Sequence, residues 1–295
     1  MANSLLFLLY GYIFLGQHHL RKPIDLIFMN LSFVNILGIT FRSLPEIMSF
    51  FRVNHFLNDT GCQAFLYLHR VTRGLSICTT SFLSGFQAIT ISPGHSKWAW
   101  PKSQYSKCIL PFLLTLWVIN MLVYIHIIET VRAKSNFTVV GRGYVNVYCE
   151  GRQLEEHMLI LALYVFMMHD LVFMLLMIGS SLYMVFILYR HRRRARHIHS
   201  LTHSSESSAE NKATRTILST VLCFVLFYFA NNFLTIYGIY ASKEKITLGS
   251  ISGMLSLCYP TFCPFLLMKN NKIIPKLTSS LSNMRIIFSP RAFSV

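Results

Sequence analysis

Blocks of apolar residues too long for a globular core run through this sequence. Residues 61–91 and 158–189 each exceed the roughly 20 residues with which a helix crosses the ~30 Å hydrocarbon core of a bilayer. Hydrophobic residues make up 53% of the chain and charged residues only 13%, against about a quarter in a soluble domain. The sequence therefore predicts an integral membrane protein with several helices and no large soluble domain.

Seven apolar segments separated by short polar stretches are predicted to be transmembrane helices. We expect an all-α fold in which residues 1–268 form the membrane domain and residues 269–295 form a cytoplasmic tail. The first segment is short, because its 14 residues span about 21 Å as a helix. Either its outer end is frayed or the chain starts late, so we expect a truncated first helix. The segments cover approximately residues 2–15, 24–51, 61–91, 108–128, 158–189, 214–240 and 246–268.

Lysine and arginine are distributed unequally between the two sets of loops. Loops one, three and five together with the tail hold 17 of them, and the opposite loops hold 7. Because loops rich in these residues stay in the cytoplasm, we expect an extracellular N-terminus, a cytoplasmic C-terminus and a multi-pass position in the plasma membrane. The net charge of +16 indicates this topology and contact with anionic membrane lipid rather than a nucleic-acid partner.

Two cysteines and two glycosylation sequons lie on the predicted outer side. Cys62 opens the third segment and Cys149 lies in the second outer loop, where oxidation is permitted. They form a disulfide that holds this loop over the helices, or they remain two free thiols; we expect the disulfide. Asn136 is a glycosylation acceptor in the same loop, whereas Asn58 lies close to the membrane and is the poorer acceptor.

Two permanent cations, Arg70 and Arg73, lie beside His69 in the outer half of the third segment. Helical geometry places Arg73 about 16 Å deeper than Cys62 and all four side chains within an arc of about 100°. Since this arc contains the cysteine expected to be tied to the loop above, we expect it to face the helix bundle. An arginine that faced lipid at this depth would cost roughly 2.5–3.5 kcal/mol.

Two interpretations of this polar cluster stay open. Together with Asp170 of the fifth segment, it could form the wall of a ligand pocket, in which an arginine donates to an anionic or carbonyl group. Alternatively, each arginine pairs with an acid or with backbone carbonyls and holds the helices together. Asp170 is then the best partner on another helix, because Glu46 lies four residues from Arg42 and can pair with it.

Three stretches of the sequence are distinctive. They read NHFLNDTGCQAFLYLHRVTRGLSICTTSFLSGFQAITISPGHSKW (54–98), FILYRHRRRARHIH (186–199) and CYPTFCPFLLM (258–268). They closely resemble the vomeronasal type-1 receptors, the pheromone receptor family, and the resemblance extends over nearly the whole chain. It implies a seven-transmembrane helix bundle of G-protein-coupled receptor type. It also implies a small, often volatile or steroid-like ligand bound on the extracellular side, and an inhibitory-type heterotrimeric G protein as partner.

The chain departs from related receptors at several points. Its first residues, MANSLLFLLY, resemble the middle of the family's first helix, which fits the short first segment. At the inner end of the third helix, Phe-Gln-Ala around Gln87 replaces the Asp-Arg-Tyr of rhodopsin-like receptors. Pro260 and Pro264 replace the usual Asn-Pro-x-x-Tyr of the last helix. Each proline is a candidate hinge for activation or a passive kink.

A cationic run begins at Arg190 in the predicted third inner loop. Because this loop joins the fifth and sixth helices, the run is a candidate contact for the G protein. It is also suited to anchoring the loop on anionic lipid, and the two roles are compatible. The candidate contact residues are Gln87, Arg190, Arg192, Arg193, Arg194 and Arg196.

Other classes of membrane protein fit the sequence less well. A transporter would favour duplicated halves, and no duplication is visible. The 12 histidines are scattered without the spacing of metal ligands, so we expect no enzymatic activity, no metal and no cofactor. Among receptors, the alternatives are a bitter-taste-like chemoreceptor, which the HRVTRG block opposes, and a truncated receptor without function.

Overall fold

The computed structural model describes residues 1–16, 22–51, 57–92, 102–133, 149–151, 156–198, 218–219, 221–234, 237 and 245–270. Nearly all of these residues are helical. The elements are α1 (Ala2–Gly16), α2 (Pro23–Phe50), α3 (Asp59–Ile91), α4 (Lys102–Val123), α5 (Ile127–Thr130), β1 (Val131–Ala133), β2 (Cys149–Gly151), α6 (Glu156–Ile198), α7 (Val221–Leu234) and α8 (Lys245–Asn270).

Several of the described helices are suited to a bilayer. Two shorter apolar helices, α1 and α7, accompany four stretches that are long and apolar enough to cross one. Leu122, Leu175 and Leu182 are more than half exposed, as expected of side chains that face lipid tails. The prediction of a helical, multi-pass membrane protein is confirmed, and the count of seven spans stays a prediction. The four stretches are Pro23–Met48, Asp59–Ile91, Cys108–Thr130 and Ile160–Ile187.

Most ends of the described helices lie within a few residues of the predicted ends. The largest difference is in α6, which continues to Ile198, nine residues past the predicted end. The cationic run that begins at Arg190 is therefore the end of a helix and not a loop. The run contains neither glycine nor proline, and arginine is a good helix former, so nothing in it stops the helix.

Residues 131–133 and 149–151 form a short antiparallel hairpin that the sequence did not predict. In β1–β2, Ala133 lies opposite Cys149, and the strands are too short to leave a periodic pattern. A disulfide joins Cys149 to Cys62 near the start of α3. In addition, the backbone N–H of Ala133 donates to the Asp59 carboxylate at 2.6 Å. The hairpin is therefore fastened to the N-terminal end of α3 by a covalent bond and a hydrogen bond.

One of the two glycosylation sequons has a structural role in the described chain. Asn58 is the N-cap of α3, and its side-chain oxygen accepts a hydrogen bond from the Gly61 N–H at 2.8 Å. Asn136 lies outside the described residues. Glycosylation at either position stays a prediction.

The helix α3 lies at the centre of the described bundle, in contact with α2, α4, α5, α6 and β1. Residues 74–81 are all buried, and most of them are small. Small side chains allow neighbouring helices to approach closely. At Gly74 a Cβ atom would collide with the side chains of Asn120 and Tyr124, so the approach of α3 to the end of α4 requires glycine there.

A buried amide on α1 compensates for a proline in α8. Pro264 has no N–H, so the carbonyl of Pro260, one turn earlier, lacks its usual helical donor. Asn3 Nδ2 donates to this carbonyl oxygen at 2.7 Å, and the Asn3 side chain is buried. A backbone carbonyl without a donor is expensive in a membrane, so this bond fixes α1 against α8.

Replacing Asn3 with leucine should destabilise the fold by about 1–3 kcal/mol, because the Pro260 carbonyl loses its donor. In a Pro264→Ala background the same substitution should cost much less, since residue 264 then supplies the helical N–H. Thermal unfolding of the purified chain measures both values, with Ser4→Leu on the exposed side of α1 as the control. Equal costs in the two backgrounds would contradict this role of Asn3.

Candidate functional site

A cavity lies between α2, α3, α7 and α8. Its volume is about 60 Å³. The cavity has aromatic walls and a few polar groups, and this kind of lining suits a small, mainly apolar molecule. The polar lining on α3 consists of His69, Thr72, Arg73 and Ser76, and the lining on α7 and α8 includes Phe224, Phe227, Tyr228, Leu255 and Pro260.

Arg73 joins three helices at the side of this cavity. Its Nη2 atom lies 3.3 Å from Asp170 Oδ2 on α6 and donates to Asn232 Oδ1 on α7, also at 3.3 Å. The guanidinium carbon lies 5.6 Å from the ring centre of Tyr228, within the range of a cation–π contact. The structure thus pairs Arg73 with the acid that the sequence indicated as the best interhelical partner.

Asp170 is held at its second oxygen as well. The Tyr124 hydroxyl donates to Oδ1 at 3.4 Å, and His169 Nδ1 lies 3.4 Å from the same atom. Only 2% of the Asp170 side chain is exposed, and a carboxylate at this depth is costly unless it is paired. Asp170 contacts Arg73 but is not among the residues that line the cavity.

The structure divides the predicted polar cluster of α3. His69 and Arg73, four residues apart on one side of the helix, both line the cavity, whereas Arg70 is not among the lining residues. His69 Nδ1 is buried and has no hydrogen-bond partner within the described chain. Arg73 thus pairs with an acid on another helix and also lines the cavity, and its role in ligand binding stays a prediction.

Two further residues that hold Arg73 were not identified from the sequence. Tyr228 and Asn232 lie one turn apart on α7, and Asn232 Nδ2 donates to the Tyr228 carbonyl at 3.0 Å. The available signal was the pair of adjacent amides at Asn231 and Asn232 in an apolar segment. Which side of that segment faces α3 depends on how the second helix is rotated about its own axis. The spacing of residues within one helix does not determine this rotation.

The polar lining extends onto α2. Asn35 is 2% exposed and accepts a hydrogen bond from Ser76 Oγ at 2.8 Å. Further along α2, Arg42 Nη2 pairs with Glu46 Oε1 at 2.9 Å, as their spacing predicts. Arg42 and Glu46 therefore satisfy each other, and Asp170 balances Arg73 of α3.

The candidate G-protein contacts lie toward the C-terminal ends of α3 and α6, whereas the candidate hinge Pro260 lines the cavity. The side-chain oxygen of Gln87 is buried and has no hydrogen-bond partner among the residues the structure describes. Arg190 and Arg193 are exposed on the extended end of α6. Both candidate hinge prolines, Pro260 and Pro264, lie inside α8. The backbone at Arg192, Arg194 and Arg196 is part of the same α6 helix, and their side chains lie outside the described part of the structure.

Neutralising one partner of the buried pair should be far more harmful than neutralising both. Arg73→Gln or Asp170→Asn alone leaves one charge unpaired and should cost roughly 3–5 kcal/mol. The double variant should regain most of this loss. Thermal unfolding and surface labelling measure the effect, with the exposed Arg132→Gln as the control. If the double variant lost the sum of the single losses, the pair would not exist.

Comparison with known proteins matches the chain to one family of receptors. The profile of the vomeronasal organ pheromone receptor family matches residues 1–280. Human vomeronasal type-1 receptor 4 is 36% identical over 247 residues, which are 84% of this chain and 82% of that protein.

Two further relatives cover the chain more completely. Human vomeronasal type-1 receptor 3 is 34% identical over 278 residues, covering 93% of this chain and 88% of the relative. Olfactory receptor class A-like protein 1 of Danio rerio is 30% identical over 273 residues, covering 92% and 85% respectively. The chain therefore belongs to the vomeronasal type-1 pheromone receptor family, whose members are membrane receptors and not enzymes.

Proposed function

We propose that this chain is a G-protein-coupled pheromone receptor that binds a small molecule in the cavity between α2, α3, α7 and α8. Binding there activates an inhibitory-type heterotrimeric G protein. The observation that carries the proposal is the position of Arg73, which lines the cavity and contacts both α6 and α7. A ligand that contacts Arg73 acts on a junction of three helices, and its different affinity for two arrangements of them shifts their populations.

The cavity belongs to the extracellular half of the bundle in this proposal. The disulfide between Cys62 and Cys149 supports an oxidising environment at the start of α3. His69 follows Cys62 by seven residues, so it lies about 10 Å deeper along the helix. This orientation also gives the extracellular N-terminus and cytoplasmic C-terminus that the loop charges favour, in the plasma membrane.

The opposite end of the bundle is proposed to contact the G protein. The apolar stretch of α6 ends at Ile187, and the helix continues to Ile198. Arg190 and Arg193 are thus exposed on a helix that extends beyond the hydrocarbon region. The same charges suit the anionic lipid of the cytoplasmic leaflet, so the proposed helix end contacts lipid and G protein together.

Expression of the tagged chain with a panel of volatile small molecules tests the proposal. We expect the chain at the cell surface and an active compound that lowers stimulated cyclic AMP, with the effect abolished by pertussis toxin. Arg73→Gln should reduce the response at matched surface level. A chain that never reaches the surface would support the alternative of a receptor without function. A surface chain whose response is insensitive to the toxin would contradict the inhibitory-type partner.

Removing the charge of the α6 end should weaken coupling. The double variant Arg190→Gln/Arg193→Gln keeps helix-forming side chains and should lower G-protein activation about fivefold, as the loss of exposed charge pairs worth roughly 1 kcal/mol together predicts. Nucleotide exchange on the purified inhibitory-type G protein measures this, and Arg132→Gln on the outer hairpin is the matched control. Unchanged exchange at equal receptor concentration would exclude a G-protein contact at these two residues.

A further inference from the structure

The helices α3 and α6 are joined by polar contacts along much of their length. These contacts extend from Arg73 to Ser92, which is roughly 28 Å along α3. Because they are spread over this distance, the two helices form one unit, which we call the α3–α6 unit. The contacts are Arg73–Asp170 at 3.3 Å, Ser84–Ser180 at 2.9 Å and Ser92–Tyr183 at 3.2 Å.

The helices α7 and α8 form a second unit. Ser252 Oγ on α8 donates to Asn231 Oδ1 on α7 at 2.7 Å. The rings of Phe227 and Phe262 stack with their centres 6.0 Å apart. A hydrogen bond and a ring contact therefore join these helices at two levels, and we call the pair the α7–α8 unit.

The two units meet at Arg73 and again at Thr80, seven residues further along α3. The hydroxyl oxygens of Thr80 and Tyr259 lie 2.6 Å apart, and only 2% of Thr80 and 6% of Tyr259 is exposed. Thr80 already donates its one hydroxyl proton to the Ser76 carbonyl at 2.7 Å. Tyr259 is therefore the donor in the bond between α8 and α3.

This bond lies where α8 bends most easily. Tyr259 is followed directly by Pro260, and Pro264 comes one turn later. Each proline removes a hydrogen bond of the helix, and helices bend at such positions. The distance of 2.6 Å is at the short end of the range for two hydroxyl groups, so a displacement of the Tyr259 ring lengthens and weakens the bond.

The cavity reaches only one partner of this bond. Tyr259 lines the cavity, whereas Thr80 is not among the lining residues. The Tyr259 ring also lies edge-on to the ring of Phe224, another lining residue, with the centres 4.3 Å apart. A molecule that displaces either ring therefore acts on the bond between α3 and α8 without touching Thr80.

We propose that the hydrogen bond from Tyr259 to Thr80 is a latch, which holds the α7–α8 unit against the α3–α6 unit at rest and is released when α8 bends at Pro260. The proposal rests on the proposed function only in taking the released arrangement as the one that activates the G protein. Tyr259 transmits the contents of the cavity to the latch, and Thr80 acts on α8 through Tyr259.

Alkylation of Cys263 tests the latch without a ligand or a G protein. Cys263 is a free, fully buried thiol one turn after Tyr259, and Cys78 is a free, fully buried thiol on α3. The full chain in phosphatidylcholine nanodiscs is treated with N-ethylmaleimide, and peptide mass spectrometry gives the rate at each cysteine. Thr80→Val removes the acceptor, so the rate at Cys263 should rise about fivefold, the effect of losing one ordinary hydrogen bond. Cys78 should stay protected.

Three further variants make this assignment specific. Thr80→Ser keeps the hydroxyl and should restore the wild-type rate. Thr115→Val, the matched control, removes an exposed hydroxyl that bonds to a carbonyl of its own helix and should change nothing. Tyr259→Phe leaves Thr80 bonded to Ser76, so it carries the test if Thr80→Val does not fold. An unchanged rate at Cys263, or an equal rise at Cys78 and Cys263, would overturn the latch.

Nucleotide exchange on the purified inhibitory-type G protein, measured without ligand, tests the resting role of the latch. Thr80→Val should raise this basal exchange about fivefold, because it increases the population of the released arrangement. Faster reaction of Cys263 with unchanged basal exchange, in a receptor that an active compound still stimulates, would overturn the resting role. Faster reaction of Cys263 in a chain that activates no G protein with any compound contradicts the proposed function and leaves the latch between α3 and α8 standing.

Discussion

A single buried ion pair sets the conditions under which the rest of this bundle can form. Arg73 and Asp170 lie on different helices at a depth where neither charge is tolerated alone, and their atoms meet at 3.3 Å. Because each charge requires the other, the pair fixes how α3 and α6 face one another. Tyr124 on one side and Asn232 on the other complete the hydrogen bonding, so the end of α4 and the helix α7 are drawn to the same point.

The surrounding packing makes this junction possible. The buried face of α3 consists mostly of small residues, and Gly74, next to Arg73, has no room for a side chain beside Asn120 and Tyr124. The disulfide-bonded hairpin fixes the start of α3, and at α8 the amide of Asn3 replaces the missing donor of a proline. Each of these features makes room for close packing, adds a covalent bond or satisfies a polar group at a place where helices meet.

The connection to function follows from Arg73 Nη2, the atom that contacts both α6 and α7. Arg73 uses one nitrogen to hold α6 and α7, and it also lines the cavity. In the proposed receptor, a molecule that contacts Arg73 in the cavity perturbs the contact between these helices. The proposed receptor thus needs no separate element to carry the signal from the binding site to the helix junction.

Most helix ends, the position of His69 and Arg73 on one side of α3 and the partnership of Arg73 with Asp170 could be predicted from the sequence, because they follow from helix length, angular spacing and the scarcity of acids. Arg70, which the sequence placed in the same cluster, does not line the cavity. The roles of Tyr228 and Asn232 could not, since they depend on the rotation of α7 about its own axis. The helical state of the run after Arg190 was missed because its charge density was interpreted as a loop. The hairpin was missed because each of its strands has only three residues.

The ionisation state of Asp170 in the reconstituted chain tests the central claim most directly. Infrared difference spectroscopy between the wild type and Asp170→Asn isolates the signal of this one side chain. An ionised partner of Arg73 predicts that, at neutral pH, the wild type has a carboxylate stretching band that the variant lacks. A band of a protonated carboxylic acid in its place would contradict the ion pair, and with it the junction through which Arg73 holds α3 and α6 together.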